Sequence, residues 1–434
     1  MRVSAALLVA VAMPGVSIAA QQRDARIAAA VDRAVPGIIE IRHHLHQHPE
    51  LGNREVESAK LIAERLRALG FDEVRTGIAH TGIVGVLRGG RPGPVVAVRA
   101  DMDALPVTEA TPYPFTSTVR ATYLGQEVGV SHACGHDVHM AIQLGVAEIL
   151  VGMKREMPGT VLFVFQPAEE GPPPGEEGGA ALMLAEGAFG NPRPSAVFGL
   201  HTMASMDVGT VGYTPGPALA AVDHFWITIK GRQAHGASPQ LSVDPVVMAS
   251  QAVMALQTIR SRNLSPLEPS VVTVGMIHGG ERFNIIPGEV RMEGTVRTYS
   301  TAVQGEVERR MREILAGVAA AGGGTFDLTY ERGSPPVIND VALTERMVPT
   351  IQRILGAANV LRVESAMVGE DFSYFANEVP GLYYRLGVQK PGTVSGDHHT
   401  PTFQADDSAI PVGIRVMTGV LLDYLEGGVR GTDR

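Results

Sequence analysis

Three runs of consecutive apolar residues do most to limit how this chain can fold. They are Pro94-Val95-Val96-Ala97-Val98, Val161-Leu162-Phe163-Val164-Phe165 and Ala196-Val197-Phe198-Gly199-Leu200. None alternates with polar residues, as a strand with one solvated face would. Such runs suit strands buried on both faces of a largely parallel sheet, with helices packed outside. Helical spacing fills the intervals. Arg23 to about Gly70 reads as helix, ending in an amphipathic stretch from Ala59 to Leu69 with Gly70 as its stop. Each apolar run then empties into acids or a histidine: Arg99-Ala100-Asp101-Met102-Asp103, Gln166-Pro167-Ala168-Glu169-Glu170-Gly171, and His201. In open α/β sheets, ligands bind beyond the carboxyl ends of the strands. Three strand ends therefore converge on a single polar site. A fourth contribution comes from Ser131-His132-Ala133-Cys134-Gly135-His136-Asp137-Val138-His139, just before a helical stretch from Met140 to Leu150.

With 434 residues the chain exceeds what one hydrophobic core usually serves, and two domains are expected. Between about Gly216 and Gly333 the texture changes. Phe225–Lys230 reads as a strand, Pro245–Arg260 as a helix, Ser270–Ile277 and Val290–Thr298 as strands, and Ala302–Ala321 as a helix. A β-α-β-β-α-β order marks a compact ferredoxin-like unit. The turns at Thr214-Pro215-Gly216-Pro217 and Gly333-Ser334-Pro335-Pro336 are natural hinges on either side. The expected organisation is therefore α/β. A discontinuous catalytic domain, 21–215 and 334–434, carries an inserted ferredoxin-like α+β lid and dimerisation domain, 216–333.

The chain opens with Met1-Arg2, an apolar stretch from Val3 to Met13, a Pro14-Gly15 break and small residues at Ser17, Ala19 and Ala20. This is the pattern of a cleavable signal peptide over 1–20, and it implies a periplasmic or secreted protein. No stretch is long enough to span a bilayer, so the mature chain is not expected to insert. A formal net charge of −9, without clustered Lys and Arg, argues against a nucleic-acid surface.

Cys134 is the only cysteine. It cannot close a disulfide within its own chain, in a compartment that favours oxidised thiols. Two residues from His136 and amid further histidines and an aspartate, it reads as a metal ligand. The candidate ligands are Cys134, His136, Glu170, His201 and one of the His398-His399 pair. Thiolate, imidazole and carboxylate together suit zinc better than magnesium or calcium. Five ligands exceed one tetrahedral zinc, so two metals are the economical reading. Adjacent Glu169 and Glu170 point in different directions, which leaves Glu169 to face a reacting water as general base. Asp103 is placed to orient a ligand histidine from behind. His43, His44, His46 and His48 are expected to be non-ligands, and His132, His139, His224 and His278 likewise, with His132 and His139 nearest the site.

Taken in order, five motifs resemble one family: Arg99–Pro106, His132–Asp137, Phe165–Gly171, Gly231-Arg232-Gln233-Ala234-His235 and Gly369-Glu370-Asp371-Phe372. It is the zinc-dependent amidohydrolase and peptidase family of aminoacylases and carboxypeptidase G. The nearer branch is that of hippurate hydrolases and indole-acetyl-amino-acid hydrolases. The resemblance runs from about Val31 to Leu425. It implies two divalent cations, zinc with manganese or cobalt as alternatives, held by Cys134, His136, Glu170, His201 and His399. His399 is taken over His398 because it lies two residues before Pro401. It implies Glu169 as general base. His235 would reach the substrate or the developing oxyanion across a homodimer interface, and Asn284 and Arg297 would hold the substrate's carboxylate. Where the wider family has a His-x-Asp ligand motif, this chain has Asp101 and Asp103. The implied reaction is hydrolysis of the amide of an N-acyl amino acid. The alternatives are a carboxypeptidase or dipeptidase acting on short peptides, and a non-catalytic periplasmic metal- or solute-binding protein.

Overall fold

The computed structural model describes residues 18–431; residues 1–17, most of the expected leader, lie outside the described residues. The chain opens with helices α1 (Ile18–Gln47) and α2 (Val56–Leu69). The sequence pattern predicts one helix over this stretch. The break falls at His48-Pro49, where the proline ring disfavours helical backbone in the preceding residue. The released segment is put to use: Leu51 bridges to Ala104, and the Glu50 carbonyl accepts from the Ala104 amide at 2.8 Å.

Strands β1 (Glu73–Ile78), β2 (Gly82–Arg88) and β3 (Arg91–Asp101) follow, then helix α3 (His136–Met153) and strands β4 (Pro158–Gln166), β5 (Val197–Asp207) and β6 (Val211–Tyr213). A second unit is built from β7 (Ala221–Lys230), α4 (Pro245–Thr258), β8 (Ser270–His278), β9 (Glu289–Thr298), α5 (Thr301–Gly322) and β10 (Thr325–Arg332). The chain then returns through α6 (Val341–Leu355), β11 (Val360–Arg362), α7 (Phe372–Glu378), β12 (Gly381–Gln389) and α8 (Ala409–Gly431).

The large sheet has the order β1-β2-β4-β3-β5-β12-β6-β11. Its centre, β4-β3-β5-β12, is parallel throughout. The apolar runs lie here, and the structure explains why they do not alternate. Phe163 and Phe165 enter the core beneath α1, α3 and α8, while Leu162 and Val164 enter the opposite core beneath α7 and the 179–185 helix. The apolar runs are therefore covered on both faces over most of their length.

The second unit is an antiparallel sheet of order β8-β9-β7-β10 with α4 and α5 on one face. That order is the one a ferredoxin-like β-α-β-β-α-β chain adopts. Phe225, Ile227 and Ile229 alternate with partly exposed residues along β7 and pack with Met248, Leu256 and Met311 into a core of their own. The two crossings between the units run side by side, because residues 216–219 pair antiparallel with 337–339. The fold is therefore α/β: a largely parallel sheet carrying a ferredoxin-like lid.

Candidate metal centre

The carboxyl ends of β3, β4 and β5 and the loop before α3 deliver their polar residues to one place. Tight backbone sets each of them. Gly135 sits between Cys134 and His136 with φ +86°, and an added Cβ would come within 2.6 Å of Thr202 Oγ1. A left-handed backbone and no room for a side chain leave only glycine. Ala168, just before Glu169, has φ +50°, and His399 has φ +63°. These strained positions are held from outside. The buried Glu55 carboxylate accepts from the Ala168 amide at 2.9 Å, and the His399 amide donates to the Ala133 carbonyl at 2.9 Å.

Hydrogen bonds on one nitrogen of each ring fix which nitrogen the others present. His136 Nδ1 donates to the Asp103 carbonyl at 2.7 Å, with the Asp103 carboxylate at 3.3 Å, so Nε2 is left free. His201 Nδ1 donates to the Thr202 carbonyl at 2.7 Å, and its Nε2 lies 3.4 Å from Cys134 Sγ. His136 Nε2 stands 3.9 Å from Glu169 and 4.0 Å from Glu170. His399 Nε2 is 3.0 Å from Glu170 Oε1. One ligand atom each from Cys134, His136 and His201 falls within 4.8 Å of the others, and the same holds for Cys134, Glu170 and His399. Two overlapping donor sets share Cys134.

The charges around them match such a use. Burial pushes the Cys134 thiol well above its usual value, and the Glu170 and Glu169 carboxylates push it further. Burial likewise raises Glu169 far above the carboxylate range, with Glu370, Glu170 and Asp371 adding to it. A thiolate and a carboxylate crowd in this pocket are stable only beside added positive charge. His136 Nε2 is buried with no hydrogen-bond partner. An orphaned imidazole nitrogen facing a thiol and carboxylates fits a divalent cation of the zinc type.

Other members of the cluster are already committed. His139 Nδ1 donates to Asp101, and its Nε2 accepts from the Thr202 amide at 2.9 Å, so neither nitrogen remains for a ligand. Asp101 is also paired to Arg99, which reaches Glu370 at 2.9 Å and Asp371 at 3.0 Å. This buried ring stands behind Glu169, and the Tyr383 hydroxyl closes it by donating to Glu370. Sequence reasoning assigned no role to Arg99, Glu370 or Asp371, although the motifs containing them stood out. His398 Nε2 donates to the Thr202 carbonyl at 3.0 Å. In the N-terminal histidine tract, His46 bridges Asp137 and Glu109, and Arg42 joins Asp137 to Asp407. That network clamps the first turn of α3 from behind. His132 is buried near it, and burial lowers its pKa to about 4.

The centre opens into a cavity of about 1190 Å³ between sheet and lid. Cys134, Glu169, Glu170, His201 and His399 line it, and so does Arg297 from the lid. His235 and Asn284 do not line it. They sit together elsewhere on the lid, where residues 234–235 pair with 285–286 and the Gly236 amide donates to the Asn284 carbonyl at 2.8 Å. His235 is exposed there. Sequence reasoning passed over Arg385, a second guanidinium on the cavity wall, because an arginine inside an apolar strand carries no motif.

With this geometry in hand, likeness to known proteins narrows the chemistry. The N-acetyl-L-cysteine deacetylase of Bacillus subtilis strain 168 is 37% identical over 375 residues, 86% of this chain and 84% of that protein. An Arabidopsis thaliana protein, IAA-amino acid hydrolase ILR1-like 2, is 35% identical over 393 residues, 90% of this chain and 85% of that one. The crystal structure of Bacillus subtilis YXEP, a dinuclear metal binding peptidase from the M20 family, superposes with a TM-score of 0.77 at 33% identity. That match covers 91% of this chain and 99% of YXEP. Residues 97–423 match the family model for peptidase family M20/M25/M40. The chain belongs to peptidase family M20/M25/M40 and is a hydrolase.

Proposed function

We propose that this chain hydrolyses the amide of N-acyl amino acids, releasing a carboxylic acid and a free amino acid. One observation carries the reading. A half-buried carboxyl group, Glu169, stands against a thiol, imidazole and carboxylate donor set at one end of the cavity, and Arg297 lines the same cavity from the lid. The names of the deacetylase and the IAA-amino acid hydrolase describe substrates of this type.

Cys134, His136, Glu170, His201 and His399 would hold two divalent cations. When bound, these supply Lewis acidity for the amide carbonyl and acidify the attacking water. Glu169 takes that water's proton and returns it to the leaving nitrogen, a task for a carboxylate that lines the cavity beside the donor set. Arg297 holds the amino acid's carboxylate through its planar fork. Asp103 and the Thr202 carbonyl keep His136 and His201 turned toward the site.

His235 stabilises the oxyanion and Asn284 helps to hold the substrate, each in a partner's cavity, which makes the working unit a homodimer joined through the lids. Their absence from the lining of their own cavity supports this, as does Phe283 beside them, 96% exposed. The 1–20 leader directs export, and no helix of the described residues is long and apolar enough to cross a membrane. The mass of the mature protein reads out the cleavage.

The test is a substrate panel on protein reconstituted with zinc, manganese or cobalt, comparing N-acetyl and N-benzoyl amino acids with dipeptides. Preferred cleavage of the acylated amino acids is expected. Cleavage of dipeptides alone would make the chain a dipeptidase, and no cleavage of either would move it to a binding role.

A further inference from the structure

Two arginines face the cavity without an ion-pair partner among the described residues, although the Asp223 carboxylate acts on Arg297 from a distance. Arg297 donates only to Thr295 Oγ1, at 3.2 Å, and Arg385 has no ion-pair partner among the described residues. Arg385 Nη2 is buried and unpaired. Its position follows from the pleat of β12. Leu382, Tyr384 and Leu386 point into the core under α1, α3 and α8, so Tyr383 and Arg385 point the other way, into the cleft. In register, Arg385 lies opposite His201 on β5 and opposite Gly212 on β6. Neighbouring strands are about 4.8 Å apart, so this guanidinium is within one side chain's reach of the metal end.

An unpaired, half-buried guanidinium is costly to the fold, and an apolar side chain would suit this strand better. The same arithmetic applies to a bound substrate. A neutral group laid over Arg385 would strip its remaining water without replacing it, whereas a carboxylate would take up the buried donors as a fork-to-fork pair. Arg297, on the opposite wall, is already assigned to the α-carboxylate common to every N-acyl amino acid.

We propose that Arg385 is a specificity residue that binds a second carboxylate, so that the preferred substrates are N-acyl amino acids with two acidic groups. This rests on the amidohydrolase reading above and names the substrate class for it. The second carboxylate can belong to the leaving amino acid, as in an N-acyl aspartate or glutamate, or to the acyl group, as in an N-succinyl amino acid. Both present the same chemistry to Arg385.

The test uses matched pairs on the metal-loaded full chain: N-acetyl-glutamate against N-acetyl-glutamine, and N-succinyl-leucine against N-butanoyl-leucine. For each, kcat and KM are measured in the wild type, Arg385→Met and Arg385→Lys. Binding to the Glu169→Gln variant is measured by calorimetry. The charged member of at least one pair is expected to be favoured about tenfold to a hundredfold, chiefly through KM. The pair that shows this identifies which side carries the second acid. Arg385→Met should collapse that ratio toward one, and Arg385→Lys should restore part of it. A wild-type ratio near one in both pairs would overturn the proposal, as would a ratio that Arg385→Met leaves unchanged. An equal loss on all substrates would also overturn it, by assigning Arg385 to the common carboxylate or to the fold. If the neutral members are cleaved well and the charged ones are not preferred, this inference fails while the amidohydrolase reading stands. If nothing is cleaved, the calorimetric ratio still decides for or against Arg385.

Discussion

At the scale of single residues, what matters is which atom of each side chain is left over. His136 and His201 spend Nδ1 on backbone carbonyls, and Cys134 has no partner that would favour its thiolate. Cys134→Ser is therefore expected to reduce bound metal as well as activity, and metal analysis showing normal content would contradict this. Glu169→Ala should keep its metal yet lose on the order of a thousandfold in turnover. Near-normal rates in that variant would remove Glu169 from the reaction. Gly135→Ala forces a Cβ into Thr202 in a left-handed backbone, and a stability loss of about 1–3 kcal/mol is expected in denaturant unfolding. That Cys134, His136, Glu170, His201 and His399 gather at one place was legible in the sequence, because thiol, imidazole and carboxylate are rare together. The Asp103 and Thr202 carbonyls that orient them were not, since any residue supplies a carbonyl. Arg385 was hidden for a related reason: its meaning comes from the strand beside it, not from its neighbours in sequence.

At the scale of elements, the unbroken apolar runs foretold the parallel centre of the sheet, and the β-α-β-β-α-β order of segments after Gly216 foretold the lid. The continuous helix over 23–70 failed because a single His48-Pro49 step outweighs the helical spacing on either side. Helices α1, α6 and α8 are clasped by charge. Arg353 reaches both Asp24 and Asp423 at 2.7 Å, and Asp423 also pairs with Arg23. Burial alone would raise the Asp423 pKa, but the Thr350 hydroxyl and the two arginines hold it below its ordinary value. A depressed folded pKa contributes stability above the unfolded value of about 4, and that stability is lost as pH falls through the folded value. Asp423→Asn should thus lower the melting temperature at neutral pH and make its decline between about pH 5 and pH 3 shallower than in the wild type. Parallel melting curves for the two proteins across that range would show that the clasp contributes nothing.

At the scale of the whole molecule, the lid is a separately cored unit that carries Arg297 to the cavity and His235 and Asn284 away from it. If those two residues serve a partner's site, inactive His235→Ala and Glu169→Ala proteins should regain activity when mixed and allowed to exchange subunits. One of the two sites in each mixed dimer is then complete. Two silent variants that stay silent together would confine each site to one chain. The side-by-side crossings at 216–219 and 337–339 bear on something else, the order in which the molecule can assemble. To join those strands before the lid exists, the chain must close a loop as long as the lid itself, and the entropy of closure grows with loop length. A lid that folds first closes that loop itself, because its first and last strands pair and bring both ends together. The body can then complete its sheet by the shorter path.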